Sequence, residues 1–227
     1  MRILSVRKGF QADHSSTSYE FLSIDRTLEQ AERKAVARLS SRARPTKRRA
    51  SFIYHGDFND LPGGWEPLMK KYYDVMYLES YDWWTLVFAF NTSQKAIDEI
   101  KKYDFSGSDD LGVTVDSKGD RAIISIYCRL NAEMVCFNDG VCDNYYEEEE
   151  EEEDEEDEEF DTMRPNDNLL NLLAQNREYL KKGDYRLLYG VWKEYRSDSE
   201  GNVSPEPSGM NKLPKPTKHL LSLLEQI

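Results

Sequence analysis

The sequence predicts an α+β fold, with about three helices packed on a mixed sheet and an acidic linker leading to a small helical C-terminal segment. Three observations predict it. Strand-like and helix-like stretches alternate up to about residue 130. Glu and Asp then fill every position from 147 to 159. Beyond the acids only helical patterns return. The implied units are 1–143 for the α+β domain, 144–165 for the linker and 166–227 for the C-terminal segment. A mixed α/β sheet is the near alternative.

In order, residues 2–6 and 18–24 read as strands flanking the polar turn around Asp13 and Thr17. Thr27 reads as an N-cap with Gln30 completing a capping box, so a helix should run from Leu28 to about Ala43. Leu28, Ala31, Ala35 and Leu39 would share its apolar face, and Pro45 would stop it. Ser51–His55 reads as a strand. Tyr73, Met76, Tyr77, Ser80, Tyr81 and Trp84 keep helical spacing, which predicts a helix over 66–81. Thr85–Phe90 is apolar on both faces, the mark of a buried central strand. Asn91 or Ser93 should cap a helix reaching Tyr103, and 112–115 with 122–130 read as a hairpin. After the acids, helices are expected over 166–182, 185–196 and 217–226, with a break at Gly183-Asp184. Three short helices bury too little alone, so this segment should dock on the first domain or on a partner.

The net charge of −13 is local, because without the thirteen acids of 147–159 the chain holds 30 acids against 30 bases. Residues 26–49 are the opposite extreme, with nine bases and two acids. Lys34, Arg38 and Arg42 recur every four residues there, and Lys47, Arg48 and Arg49 follow. That face suits an acidic protein segment, and it also suits a phosphate backbone with the acidic tract as an internal competitor. The bland reading is a solvated helix face. The acidic tract reads likewise as a spacer or as a ligand for basic partners.

Other constellations carry less chemistry. Cys128, Cys136 and Cys142 are separated by seven and five residues, unlike the close pairs of zinc sites, so no metal and no cofactor are expected. Cys128, inside a strand, should be buried. Asp13, His14, Ser15 and Ser16 place an acid, an imidazole and hydroxyls together. Turn chemistry explains them, and an enzyme site near His14 is the remaining alternative. Residues 104–110 depart from a calcium loop, since Asp109 stands where glycine is required. Six aromatics between Tyr72 and Trp84 read as a core stripe. With no signal-like or membrane-length apolar run, the cytoplasm is the expected location and no membrane partner is expected.

Two stretches resemble known sequences. Gly183-Asp184-Tyr-Arg186-Leu-Leu188-Tyr189-Gly-Val-Trp192, followed by Pro205, Pro207, Pro214, Pro216 and the leucines from Leu220 to Leu224, resembles the helical region downstream of SWIM-type zinc fingers in uncharacterised bacterial proteins. The finger's C-x-C and C-x-H ligands are missing here. The resemblance therefore implies a helical segment and a bacterial source, and no zinc. The opening, Arg7-Lys-Gly9-Phe10 then His14 to Ser18, is weakly similar to the start of other uncharacterised bacterial and phage proteins. Together these features predict a non-enzymatic binding or regulatory protein with a protein partner, and nucleic-acid binding as the alternative.

Overall fold

A computed structural model describes residues 16–41, 43, 45–55, 61–80, 83–131, 168–196 and 204–224. Seven strands form one sheet: β1 (Ser16–Leu22), β2 (Arg49–His55), β3 (Val75–Ser80), β4 (Trp83–Asn91), β5 (Phe105–Ser106), β6 (Gly112–Lys118) and β7 (Arg121–Cys128). Their order is β2-β1-β3-β4-β7-β6-β5. The fold is α+β, as the sequence predicts. Every pairing in the sheet is antiparallel, so the expected mixed sheet is corrected.

Much of that correction comes from β3. The helix expected over 66–81 stops after four residues, as α2 (Glu66–Met69), and the chain turns at Asp74 into a strand. Val75 and Tyr77 then join one core, while Met76 joins the core on the opposite face. A strand buried on both faces shows no alternation of apolar and polar residues, so its aromatics imitated helical spacing. β4 lies fourth of seven and is buried from Trp84 to Phe90, the central strand that its composition predicts.

α1 spans Gln30–Ala37 and is shorter than expected. Its N-cap is Glu29 rather than Thr27, and the Glu32 carboxylate accepts the Glu29 N–H at 3.0 Å. Val36 is the buried residue of the helix, whereas Ala31 and Ala35 are exposed, so the predicted apolar face is rotated. Ser40 and Ser41, weak helix formers, lie where the helix was expected to continue. α3 (Gln94–Ile100) is capped by Ser93 as expected, its hydroxyl accepting the Ala96 N–H at 3.3 Å. The β6–β7 hairpin is tighter than predicted, because pairing continues to Lys118 opposite Arg121.

α4 (Asn168–Lys181), α5 (Arg186–Tyr195) and α6 (Lys215–Ser222) lie on one face of the sheet. Leu169, Leu173, Leu188, Trp192 and Leu220 share a continuous core there with Tyr77, Trp84, Leu86, Phe88 and Phe90. The other face carries a second core, formed with Leu28, Val36, Leu68 and Met69. The C-terminal segment thus docks on the sheet. A further tie is the Asn131 N–H, which donates to the Leu223 carbonyl at 2.9 Å. The expected strand over 2–6, the acidic linker over 144–165, Cys136 and Cys142 lie outside the described residues.

Candidate functional site

Among the described residues, the buried ion pairs hold separate elements of the fold together. Asp74 is 3% exposed and precedes β3. Its carboxylate accepts the backbone N–H groups of Ile24 and Asp25 at 2.7 and 2.9 Å. Arg121 donates to the same carboxylate at 2.9 Å and to the carbonyls of Met69 and Tyr73. Arg177 reaches in from α4 with no exposed surface. Its Nε donates to the Ala89 carbonyl at 2.8 Å, its two Nη atoms grip Asp25 at 3.1 and 2.5 Å, and Asp74 lies 3.5 Å away. The hydrogen bond from Arg177 holds the Asp25 carboxyl below the usual carboxylate range. This network joins the end of β1, the start of β3, the start of β7 and α4. Each buried charge has a partner, which is how such a cluster is tolerated.

The motif Gly183-Asp184-x-Arg186 is also structural. Gly183 takes φ +84° just past α4, a conformation glycine adopts freely. The Asp184 carboxylate grips the Arg186 guanidinium at 2.8 and 2.5 Å, and its carboxyl is lowered by that contact. Arg186 in turn donates to the carbonyls of Gly209 and Lys212, which fixes the loop before α6.

The predicted basic face is divided by the fold. Lys34 and Arg38 are exposed at the end of α1. Arg42 lies outside the described residues. Lys47 is half-buried, and its carbonyl accepts the Leu28 N–H at 2.6 Å. Arg48 is committed elsewhere: its Nη1 donates to the carbonyls of Ser23, Ile24 and Arg26 at 3.1, 3.0 and 3.4 Å, clamping the β1–α1 connection. Arg49 opens β2, half-buried and opposite Leu22. The structure adds Arg33, which the spacing-four pattern missed. Its Nε is buried and has no hydrogen-bond partner.

Of the predicted loop, Asp13, His14 and Ser15 lie outside the described residues, and Ser16 opens β1 with its backbone opposite His55. Among the described residues no group of three His, Cys, Asp or Glu side chains could hold a metal ion. Cys128 is fully buried, as predicted, and burial pushes its thiol up. The aromatic run divides by face. Tyr73, Tyr77 and Trp84 are core residues, Tyr72 is half-buried with the Lys71 ammonium 4.8 Å from its ring, and Trp83 is exposed. No helix among the described residues is long and apolar enough to cross a membrane. The chain matches no protein-family model, no curated protein and no solved structure.

Proposed function

We propose that the chain is a non-enzymatic binding protein that receives an acidic stretch of a protein partner on the basic end of α1. One observation carries this reading. Arg33, Lys34 and Arg38 make no ion pair among the described residues, whereas Arg26, Lys70, Lys102, Arg121, Arg177 and Arg186 each meet a carboxylate. Cations at a helix C-terminus are favoured by the helix dipole, which accounts for part of the placement. It leaves Lys34 and Arg38 exposed without a carboxylate, which an arriving acidic segment would supply.

Nucleic-acid binding is the second reading, favoured by the Lys71–Tyr72 stack beside the Arg26–Glu32 pair, where Arg26 donates to the Lys71 carbonyl at 3.1 Å. The separating experiment titrates a labelled oligo-Glu peptide and a labelled oligo-dT against the full chain at several salt concentrations. It is repeated with Glu147–Glu159 replaced by serines, so that the chain's own carboxylates do not compete. The proposal expects peptide binding that falls with salt and is lost in Lys34→Glu/Arg38→Glu. Oligo-dT binding abolished by the same pair, with no peptide binding, would transfer the site to nucleic acid. Peptide binding indifferent to the pair would refute α1 as the receptor.

A further inference from the structure

Trp83 is the exposed large hydrophobic residue among those described, at 38%. Arg129 lies over its ring, 4.9 Å from the guanidinium carbon to the ring centroid. The sheet builds this pair. β4 and β7 run antiparallel with Trp84 opposite Cys128, so Trp83 and Arg129 come level just beyond, on the α1 face of the sheet. Tyr195 of α5 pins Arg129 from behind, its hydroxyl meeting the Arg129 N–H at 3.4 Å and the Arg129 carbonyl at 3.2 Å. The guanidinium itself makes no ion pair and no hydrogen bond among the described residues, and its Nε is buried without a partner. A positioned, half-desolvated guanidinium lacking an anion is poised to accept one at little further cost in ordering.

The geometry also selects the class of anion. A nucleic-acid strand is held by a row of phosphate contacts and by successive open ring faces. Here Arg129 already covers one face of the single exposed ring among the described residues. The neighbouring position on β3, Ser80, offers a hydroxyl engaged with Thr17 at 3.2 Å. One cation beside one apolar ring fits one carboxylate next to one aromatic or aliphatic side chain, and Trp and Arg are the residues that most often dominate protein interfaces. We infer that Trp83 and Arg129 form an anchor for an acidic, aromatic-bearing peptide segment of a protein partner. A carboxylate takes the outer guanidinium nitrogens, and the adjacent side chain lies on the exposed indole. The inference rests on reading the chain as a binding protein, but it uses none of the α1 residues.

The test uses the full chain, with its acids intact and with Glu147–Glu159 replaced by serines. The probes are a labelled peptide of alternating Tyr and Glu, its Tyr–Gln counterpart, and oligo-dT. The Tyr–Glu peptide should bind and the Tyr–Gln peptide should not. Trp83→Ala and Arg129→Gln should each weaken binding about tenfold, a typical loss at an interface hot spot. In the unsubstituted protein, the Trp83 indole N–H resonance should shift on peptide addition, a readout independent of whether either variant folds. Tyr–Glu binding unchanged in both variants, with an unmoved Trp83 resonance, overturns the anchor. Binding lost only in Lys34→Glu/Arg38→Glu leaves the α1 reading standing and sinks this one. Oligo-dT binding that disappears in Arg129→Gln overturns the peptide assignment.

Discussion

Replacing Arg177 by Met should uncouple the C-terminal helices from the sheet more than its single position suggests. Met retains most of the side chain's length and apolar bulk, so the cavity left behind is small. Four contacts disappear with the guanidinium, one of them the half-exposed pair with Glu178 at 2.9 Å. The Ala89 carbonyl loses a donor at 2.8 Å, Asp25 loses its paired contact, and Asp74, 3% exposed, keeps only Arg121 as a cation. Stranding a buried acceptor costs about 1–3 kcal/mol. Breaking a buried pair by removing one partner costs about 3–5 kcal/mol. Arg177→Met should therefore lose roughly 3 kcal/mol. Asp25→Asn tests the other end, where the side chain is 41% exposed. Solvent screening there should hold the loss below about 1 kcal/mol. Urea unfolding followed by far-ultraviolet circular dichroism and tryptophan fluorescence measures both. The reasoning fails if Arg177→Met shifts stability by less than about 0.5 kcal/mol, or if Asp25→Asn costs as much. The acid limb supplies a further check. The folded Asp25 carboxyl lies below its ordinary value, chiefly because Arg177 hydrogen-bonds it. Its contribution is thus fully present above the unfolded value near about 4, and is lost as pH falls through the depressed folded value. Asp25→Asn should flatten the stability profile in that acid window, its loss being present in full at neutral pH and vanishing below the depressed folded value.

Two smaller perturbations probe the packing. A methyl group at Gly107 would collide with the backbone carbonyl of Tyr195, the last residue of α5, and backbone cannot swing aside as a side-chain tip can. Gly107→Ala should cost about 2 kcal/mol by overpacking, read as a lowered urea midpoint, and an unchanged midpoint would mean that α5 does not sit on this turn. Ser93→Ala removes the hydroxyl that accepts the Ala96 N–H and should cost about 1 kcal/mol by thermal unfolding, with no effect expected on peptide binding.

The sequence conveyed most where one physical cause dominated. β4 was legible because seven consecutive buried residues need cover on both faces. Ser93 was legible because its hydroxyl acts within one turn, and Gly183 because a positive φ past a helix end favours glycine. β3 was misread because a two-sided strand carries no periodicity of its own, and only its register against β1 and β4 shows which face each residue takes. The basic stretch was legible as charge but not as geometry. Nothing in the spacing of Lys47, Arg48 and Arg49 reveals that Arg48 ends on three carbonyls of the β1–α1 connection. Trp83 and Arg129 were invisible as a pair for the same reason, since they stand 46 positions apart and meet only through the β4–β7 register.

Long-range register therefore sorts the charges of this chain into two populations. Arg121 and Arg177 converge on one carboxylate from strand and helix, and their loss is felt as stability. Arg33, Lys34, Arg38 and Arg129 sit on or beside the opposite face from α4–α6, and none of them is matched by a carboxylate among the described residues. If they served stability alone, substituting them with neutral residues would lower the unfolding midpoint, because surface cations contribute to a fold only through the partners they meet. Neutral substitution of all four should instead cost no more than about 1 kcal/mol of stability, the share of the α1 dipole and of the Arg129–Trp83 contact, which confines any larger defect in peptide capture to recognition.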